Sequence, residues 1–138
     1  MTNDELRIAI AKAKGMNAGV VEEWDDIYGT HHTHDYAGDR NWYPAGTPIH
    51  YAENGVFYPL PDWPNDIAAA WELVEEMITP KDESIAAILA SHRPYIVWNG
   101  EDWIYLVGGD ESDEQVARGT TLPLAISRAW LIWKTEAE

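Results

Sequence analysis

The chain has 138 residues and no cysteine, which suits one ordinary domain and excludes disulfides, thiolate chemistry and cysteine-based metal centres. Nine Lys and Arg against 24 Asp and Glu give a net charge of −15, a field that repels phosphate backbones and anionic membranes, so direct nucleic-acid binding is not expected. A hydrophobic share of 46% is that of a folded globular chain, and no apolar run approaches the roughly 18 residues of a membrane span.

The first predicted element is a helix. Thr2-Asn3-Asp4-Glu5 reads as a capping box, Leu6, Ile10 and Ala13 fall on one face, and Gly15 supplies the stop. The early acids are wrong for a secretory leader, so cytoplasmic residence is expected. From about residue 16 to 64 no helical period is sustained, and Pro44, Pro48, Pro59, Pro61 and Pro64 punctuate the stretch. An irregular segment this long is functional or disordered, and its aromatic content argues for packing down. Short extended pieces are expected around Ile49–Ala52 and Val56–Tyr58, with Asn54-Gly55 as the turn between them.

A second helix follows a cap at Asn65 or Asp66, with Ile67, Ala70, Trp71, Val74, Met77 and Ile78 at helical spacing. Thr79-Pro80 ends it. A shorter helix is expected from Glu83 to about His92, with Ile85, Ile88 and Leu89 inward. Pro94 then opens a strand, Tyr95–Trp98, and Asn99-Gly100 turns it into a partner strand, Trp103–Val107. Gly108-Gly109-Asp110 closes that hairpin. The last helix follows Arg118-Gly119-Thr120-Thr121, with Leu122, Ala125, Ile126, Ala129, Trp130 and Trp133 inward. The order predicts an α+β fold in which a small antiparallel β-sheet packs with helices, as a single domain over 1–138.

Three blocks of the sequence resemble small phage and prophage proteins, the phage ABA sandwich domain family. They are Asp4-Glu5-Leu6-Arg7-Ile8-Ala9-Ile10-Ala11, then Leu60-Pro61-Asp62-Trp63-Pro64-Asn65-Asp66-Ile67-Ala68-Ala69-Ala70-Trp71-Glu72, and finally Gly119-Thr120-Thr121-Leu122-Pro123-Leu124-Ala125-Ile126-Ser127-Arg128-Ala129. About half the chain is covered. Residues 16–59 depart from the pattern, and Ser127 stands where the family often has cysteine. The resemblance implies an α/β sandwich, a phage or prophage origin and hence the host cell cytoplasm. It brings no catalytic residues, and small phage proteins of this sort are often modulators of host processes, bacterial defence included.

Candidate chemistry is concentrated in three places. In Thr30-His31-His32-Thr33-His34-Asp35-Tyr36, His32 and His34 have the i, i+2 spacing of metal ligands on a strand, but no second motif supports them. Loop histidines that pack and hydrogen-bond are the plainer reading. Arg118, Gly119, Thr120 and Thr121 precede a helix N-terminus, where unpaired N–H groups and a guanidinium suit an anion. The plainer reading there is a helix cap with a surface ion pair at Arg118. The third place is Tyr36, Arg40, Trp42 and Tyr43, with Tyr51, Phe57 and Tyr58. Arg40 is the sole Lys or Arg between Lys14 and Lys81, so a ring could stack on a base while Arg40 takes an anion. Alternatively the rings pack the long segment and Arg40 pairs with Asp39 or Asp35.

Eight Trp and seven Tyr against one Phe fit surfaces with one apolar side and one wet end. No nucleophile motif surrounds Ser84, Ser91, Ser112 or Ser127, and no phosphate-cradling loop is present. The expectation is therefore a non-enzymatic phage accessory protein, without cofactor, that sequesters a small nucleotide-type ligand to counter host defence. A homo-oligomer is expected, because Trp-rich faces need cover. The alternatives are an acidic inhibitor or DNA mimic acting on a host defence protein, and a metal-dependent hydrolase built on His32 and His34.

Overall fold

The computed structural model describes residues 1–78, 94–107 and 114–136. The helix expected over Glu83–His92, the stop at Thr79-Pro80 and the Gly108-Gly109-Asp110 turn lie outside the described residues. Contacts gather into two compact units, Met1–Pro61 and Asp62–Glu138, and each is described by itself. The α+β class holds, with small antiparallel sheets packed against helices.

The first unit opens with α1 (Asn3–Ala13). Thr2 Oγ1 accepts from the Glu5 amide at 3.1 Å, as the capping box requires. At the other end Gly15 takes φ +84, and the Met16 and Gly15 amides donate back to Ala11 and Lys12 at 2.9 and 3.0 Å, a glycine-based stop. Leu6, Ile10 and Ala11 are buried. Seven short strands follow: β1 (Ala18–Val20), β2 (Trp24–Asp25), β3 (His31–His32), β4 (His34–Tyr36), β5 (Trp42–Pro44), β6 (Pro48–Tyr51) and β7 (Phe57–Pro59). They pair antiparallel as a sheet of order β1-β6-β7 and two separate ribbons, β2-β3 and β4-β5, and α1 rests on β1 and β6. The Asn54-Gly55 turn joins β6 and β7 with Tyr51 opposite Phe57, and Gly55 takes φ +81. Val21, Ala37, Ile49 and Phe57 form a buried cluster, with Tyr43 packed on it.

The expectation of a largely irregular stretch over residues 16–64 is thus corrected. Strands of two to four residues are too short to establish an apolar–polar alternation, so periodicity passes over them.

The second unit contains α2 (Ile67–Ile78), β8 (Pro94–Trp98), β9 (Trp103–Val107), β10 (Glu114–Gly119) and α3 (Leu122–Glu136). Asp66 caps α2, its Oδ1 accepting from the Ala68 amide at 2.9 Å. The β8–β9 hairpin pairs Trp98 with Trp103, and Asn99 Oδ1 holds the turn by accepting from Glu101 and Asp102 amides, both at 2.8 Å. The sheet order is β10-β9-β8; α3 packs on β10 and β9, and α2 packs on α3. Tyr105, Leu73, Val74, Ile126 and Trp130 are fully buried, and burial pushes the Tyr105 phenol above its ordinary range.

Two details depart from the sequence reading. On α2 the buried residues are Ala70, Leu73, Val74 and Met77, whereas Ile67, Trp71 and Ile78 are exposed. The helix is turned so that Leu73 enters the core, giving an i, i+3, i+4, i+7 stripe narrower than the apolar face of the sequence. Strand β10 was also not foreseen. A register shift between Gln115 and Ala117 breaks the period-2 alternation that would reveal it.

Among the described residues, no helix is long and apolar enough to cross a membrane.

Candidate functional site

The site is built by the two ribbons of the first unit and the strand ends beside them. In the β2-β3 ribbon, Asp26 organises the turn. Its Oδ1 accepts from the Tyr28 and Thr30 amides at 2.8 and 3.0 Å, while Oδ2 meets His32 Nε2 at 2.9 Å. The His32 bond, then the Thr30 amide, hold the Asp26 carboxyl below its usual range. Across the ladder, His31 lies between two carboxylates: Nδ1 is 2.8 Å from Asp25 Oδ1 and Nε2 is 3.0 Å from Glu23 Oε2. Ionised carboxylates only accept, so the protonated ring, in which both nitrogens donate, is the form that satisfies both contacts at once. Asp25 first, then Glu23, raise its pKa above the ordinary value.

Trp24 is fixed on two sides. Its ring stacks on His32 at 4.2 Å and 15°, and its Nε1 donates to the His34 carbonyl at 2.9 Å. In the β4-β5 ribbon, Tyr36 and Trp42 sit opposite each other with ring centroids 5.3 Å apart. The turn between them is closed by Ala37 and Arg40 amides donating to Asn41 and Ala37 carbonyls at 2.9 and 3.0 Å. Arg40 takes φ +68, the sole positive φ among the described non-glycine residues. Asp39 accepts from the Tyr43 hydroxyl, and that bond lowers the Asp39 pKa and raises that of Tyr43.

These pieces surround an open cleft of about 650 Å3. Its apolar floor is Val21, Ala37, Ile49 and Phe57, the buried cluster of this unit. Trp24, Tyr36 and Tyr51 supply aromatic walls. Glu22, Glu23, Asp35 and Arg40 supply the charges. Among the described residues, the Arg40 guanidinium and the Glu22 carboxylate have no hydrogen-bond or ion-pair partner, and Asp35 uses Oδ1 to accept from the Tyr36 amide at 2.8 Å. Gly38 also lines the cleft; a Cβ there would come within 2.5 Å of Val56 and 2.7 Å of the Tyr58 ring, so any other residue requires these side chains to shift.

Of the residues singled out from sequence, Tyr36, Arg40, Tyr51 and Phe57 line this cleft. Trp42 packs against Tyr36, and Tyr43 packs on the buried cluster. The ion pair between Arg40 and Asp39 or Asp35 is not formed. Arg118, Gly119, Thr120 and Thr121 belong to the second unit, and Arg118 and Gly119 end strand β10. Gly119 is accounted for by packing, since a Cβ would lie 2.6 Å from the Ala125 amide. Thr121 caps α3, with Oγ1 accepting from the Leu124 amide at 3.3 Å. His32 and His34 do not converge: His34 Nδ1 meets Thr33 Oγ1 at 3.2 Å. Among the described residues no group of three His, Asp or Glu side chains could hold a metal ion.

Sequence reasoning does not single out Trp24 or its flanking Glu22-Glu23, one acidic pair in a chain with 24 Asp and Glu. An available signal was the placement of Trp24 ten residues before His34, inside the same aromatic and histidine-rich segment. Comparison with family models, with curated proteins and with solved structures gave no match.

Proposed function

We propose that this protein is a non-enzymatic, cytoplasmic binding protein that sequesters a small planar ligand of nucleotide type in the cleft of its first unit. The observation that carries this reading is Arg40: a guanidinium unpartnered among the described residues, held on left-handed backbone, lining an aromatic cleft. A cleft of about 650 Å3 falls in the range of small-molecule sites. Trp24, pinned by His32 and the His34 carbonyl, is a stacking surface that loses little entropy when a base lies on it. With the phage origin that the sequence resemblance implies, sequestration would lower the free level of a host signalling nucleotide.

Mass spectrometry of small molecules released by heating, followed by titration calorimetry with nucleosides and 5′-nucleotides, tests the reading. Alanine at Trp24 or Tyr36 is expected to cost roughly 10- to 100-fold in affinity, the usual worth of one base–aromatic stack. Arg40→Ala is expected to abolish the contribution of the anionic group. Absence of any bound nucleotide, or binding unchanged in Arg40→Ala, would overturn it.

A second reading has one observation in its favour. Ile27 and Tyr28 are 91% and 86% exposed at the tip of the acidic β2-β3 ribbon, as suits a contact with a basic host protein. That reading requires association that weakens with salt and is lost in an Ile27→Ser/Tyr28→Ser variant, with nucleotide binding intact.

A further inference from the structure

We infer that the cleft discriminates against polyanions: it selects a planar ligand with a single anionic group and an N–H or O–H donor edge, and Glu22 and Asp35 are the specificity-determining residues. This rests on the binding reading above and narrows its ligand class. The charges that line the cleft are three carboxylates and one guanidinium. Glu23 has its Oε2 committed to His31. Glu22 is exposed and unpartnered among the described residues, and Asp35 has only one oxygen engaged, by the Tyr36 amide.

An ionised carboxylate accepts and never donates, so a ligand group that faces Glu22 or the second oxygen of Asp35 is matched when it is a donor. Exocyclic amines, ring N–H groups and ribose hydroxyls are such donors. One phosphate can lie against Arg40. A second or third would add charge near carboxylates that outnumber the guanidinium, within about one Debye length, where repulsion is not screened away. Sites that read polyphosphate have the opposite composition, with several cations or a run of backbone amides. The amides of Val21, Ala37, Gly38 and Arg40 along the cleft already donate to the carbonyls of Thr47, Asn41, Phe57 and Ala37, so these four form no such cradle.

The test is calorimetry, without divalent cations, on the full chain with each ribonucleoside and its 5′-mono- and 5′-triphosphate. The expected result is that the best-bound monophosphate exceeds its triphosphate by about tenfold or more. Added salt should narrow this gap by strengthening triphosphate binding, the reverse of a phosphate-reading site. Glu22→Gln and Asp35→Asn, alone and together, are expected to shrink the gap while monophosphate still binds; both keep side-chain size, and circular dichroism verifies their fold. A triphosphate bound as tightly as the monophosphate overturns the charge discrimination and leaves the binding reading standing. A gap unchanged in the double variant overturns the assignment to Glu22 and Asp35. No binding by any of these compounds overturns the underlying reading, and the inference with it.

Discussion

At Arg40 two demands on one residue diverge, and the divergence is measurable. The backbone there sits at φ +68, a region that costs a residue with a Cβ roughly 1–2 kcal/mol relative to glycine. Strain of this kind persists where the side chain is wanted for something else. The turn itself is secured without it, by the Asn41 amide on Asp39 Oδ1 at 3.0 Å and by the Ala37–Asn41 bond. Arg40→Gly is therefore expected to leave thermal stability unchanged or raise it by up to about 1 kcal/mol, and to lose ligand affinity. Arg40→Ala, which keeps the Cβ and the strain, should lose affinity with no stability gain. If Arg40→Gly destabilises the protein in denaturant titration, the arginine is held for the fold and the functional account of the strain fails.

The β2-β3 ribbon shows the same economy at the level of an element. With two residues per strand its ladder is far too short to stand alone, so the carboxylate–imidazole contacts at His31 and His32 and the Trp24–His32 stack support it. The sign of the pH dependence follows from the shifts. His31 is raised above 6.5 by Asp25 and Glu23, so its contribution is complete below that value and is lost as pH climbs through the raised pKa. Asp26 is lowered below 3.8, chiefly by His32, so its contribution is present above that value and disappears as pH falls through the lowered pKa. The ribbon is most secure between these limits. NMR titration of the His31 ring should give a midpoint above 6.5, and Asp25→Asn should lower it more than Glu23→Gln; an unshifted midpoint in the parent protein would contradict the clamp. Elements like this one mark the limit of legibility. The capping box at Thr2, the Asn54-Gly55 turn and the centre of the α3 stripe, Ala125, Ile126, Ala129 and Trp130, could be read because each is a local rule with several residues obeying it. The ribbons could not, because what forms them is a set of single side chains, Trp24, Asp26 and His31, meeting across loops. Tyr36 and Arg40 were legible as an unusual pairing of ring and cation, but the carboxylates that share their cleft were lost among 24 acids.

Across the whole molecule, short-range attractions of this sort work against a net charge of −15. The repulsion is long-ranged and weakens when salt shortens the Debye length, from about 30 Å at 0.01 M to 8 Å at 0.15 M. The bonded pairs at His31 and His32 are at contact distance, where screening removes less. Self-repulsion should therefore dominate the salt response. At pH 7, raising monovalent salt from about 0.01 to 0.15 M is expected to increase Tm by a few degrees. Lowering pH toward 5.5 should also stabilise, for two reasons that salt separates. Charge neutralisation brings the molecule nearer its pI of about 4.5, and this part should vanish at high salt. Completion of the His31 imidazolium is local and should remain. A scan of Tm against pH at about 0.01 and 0.5 M salt thus resolves the two: the residual rise on acidification at high salt is assigned to His31 and should be absent in His31→Gln. A Tm that falls with added salt at pH 7 would mean that ion pairs, and not self-repulsion, govern the stability of this acidic chain.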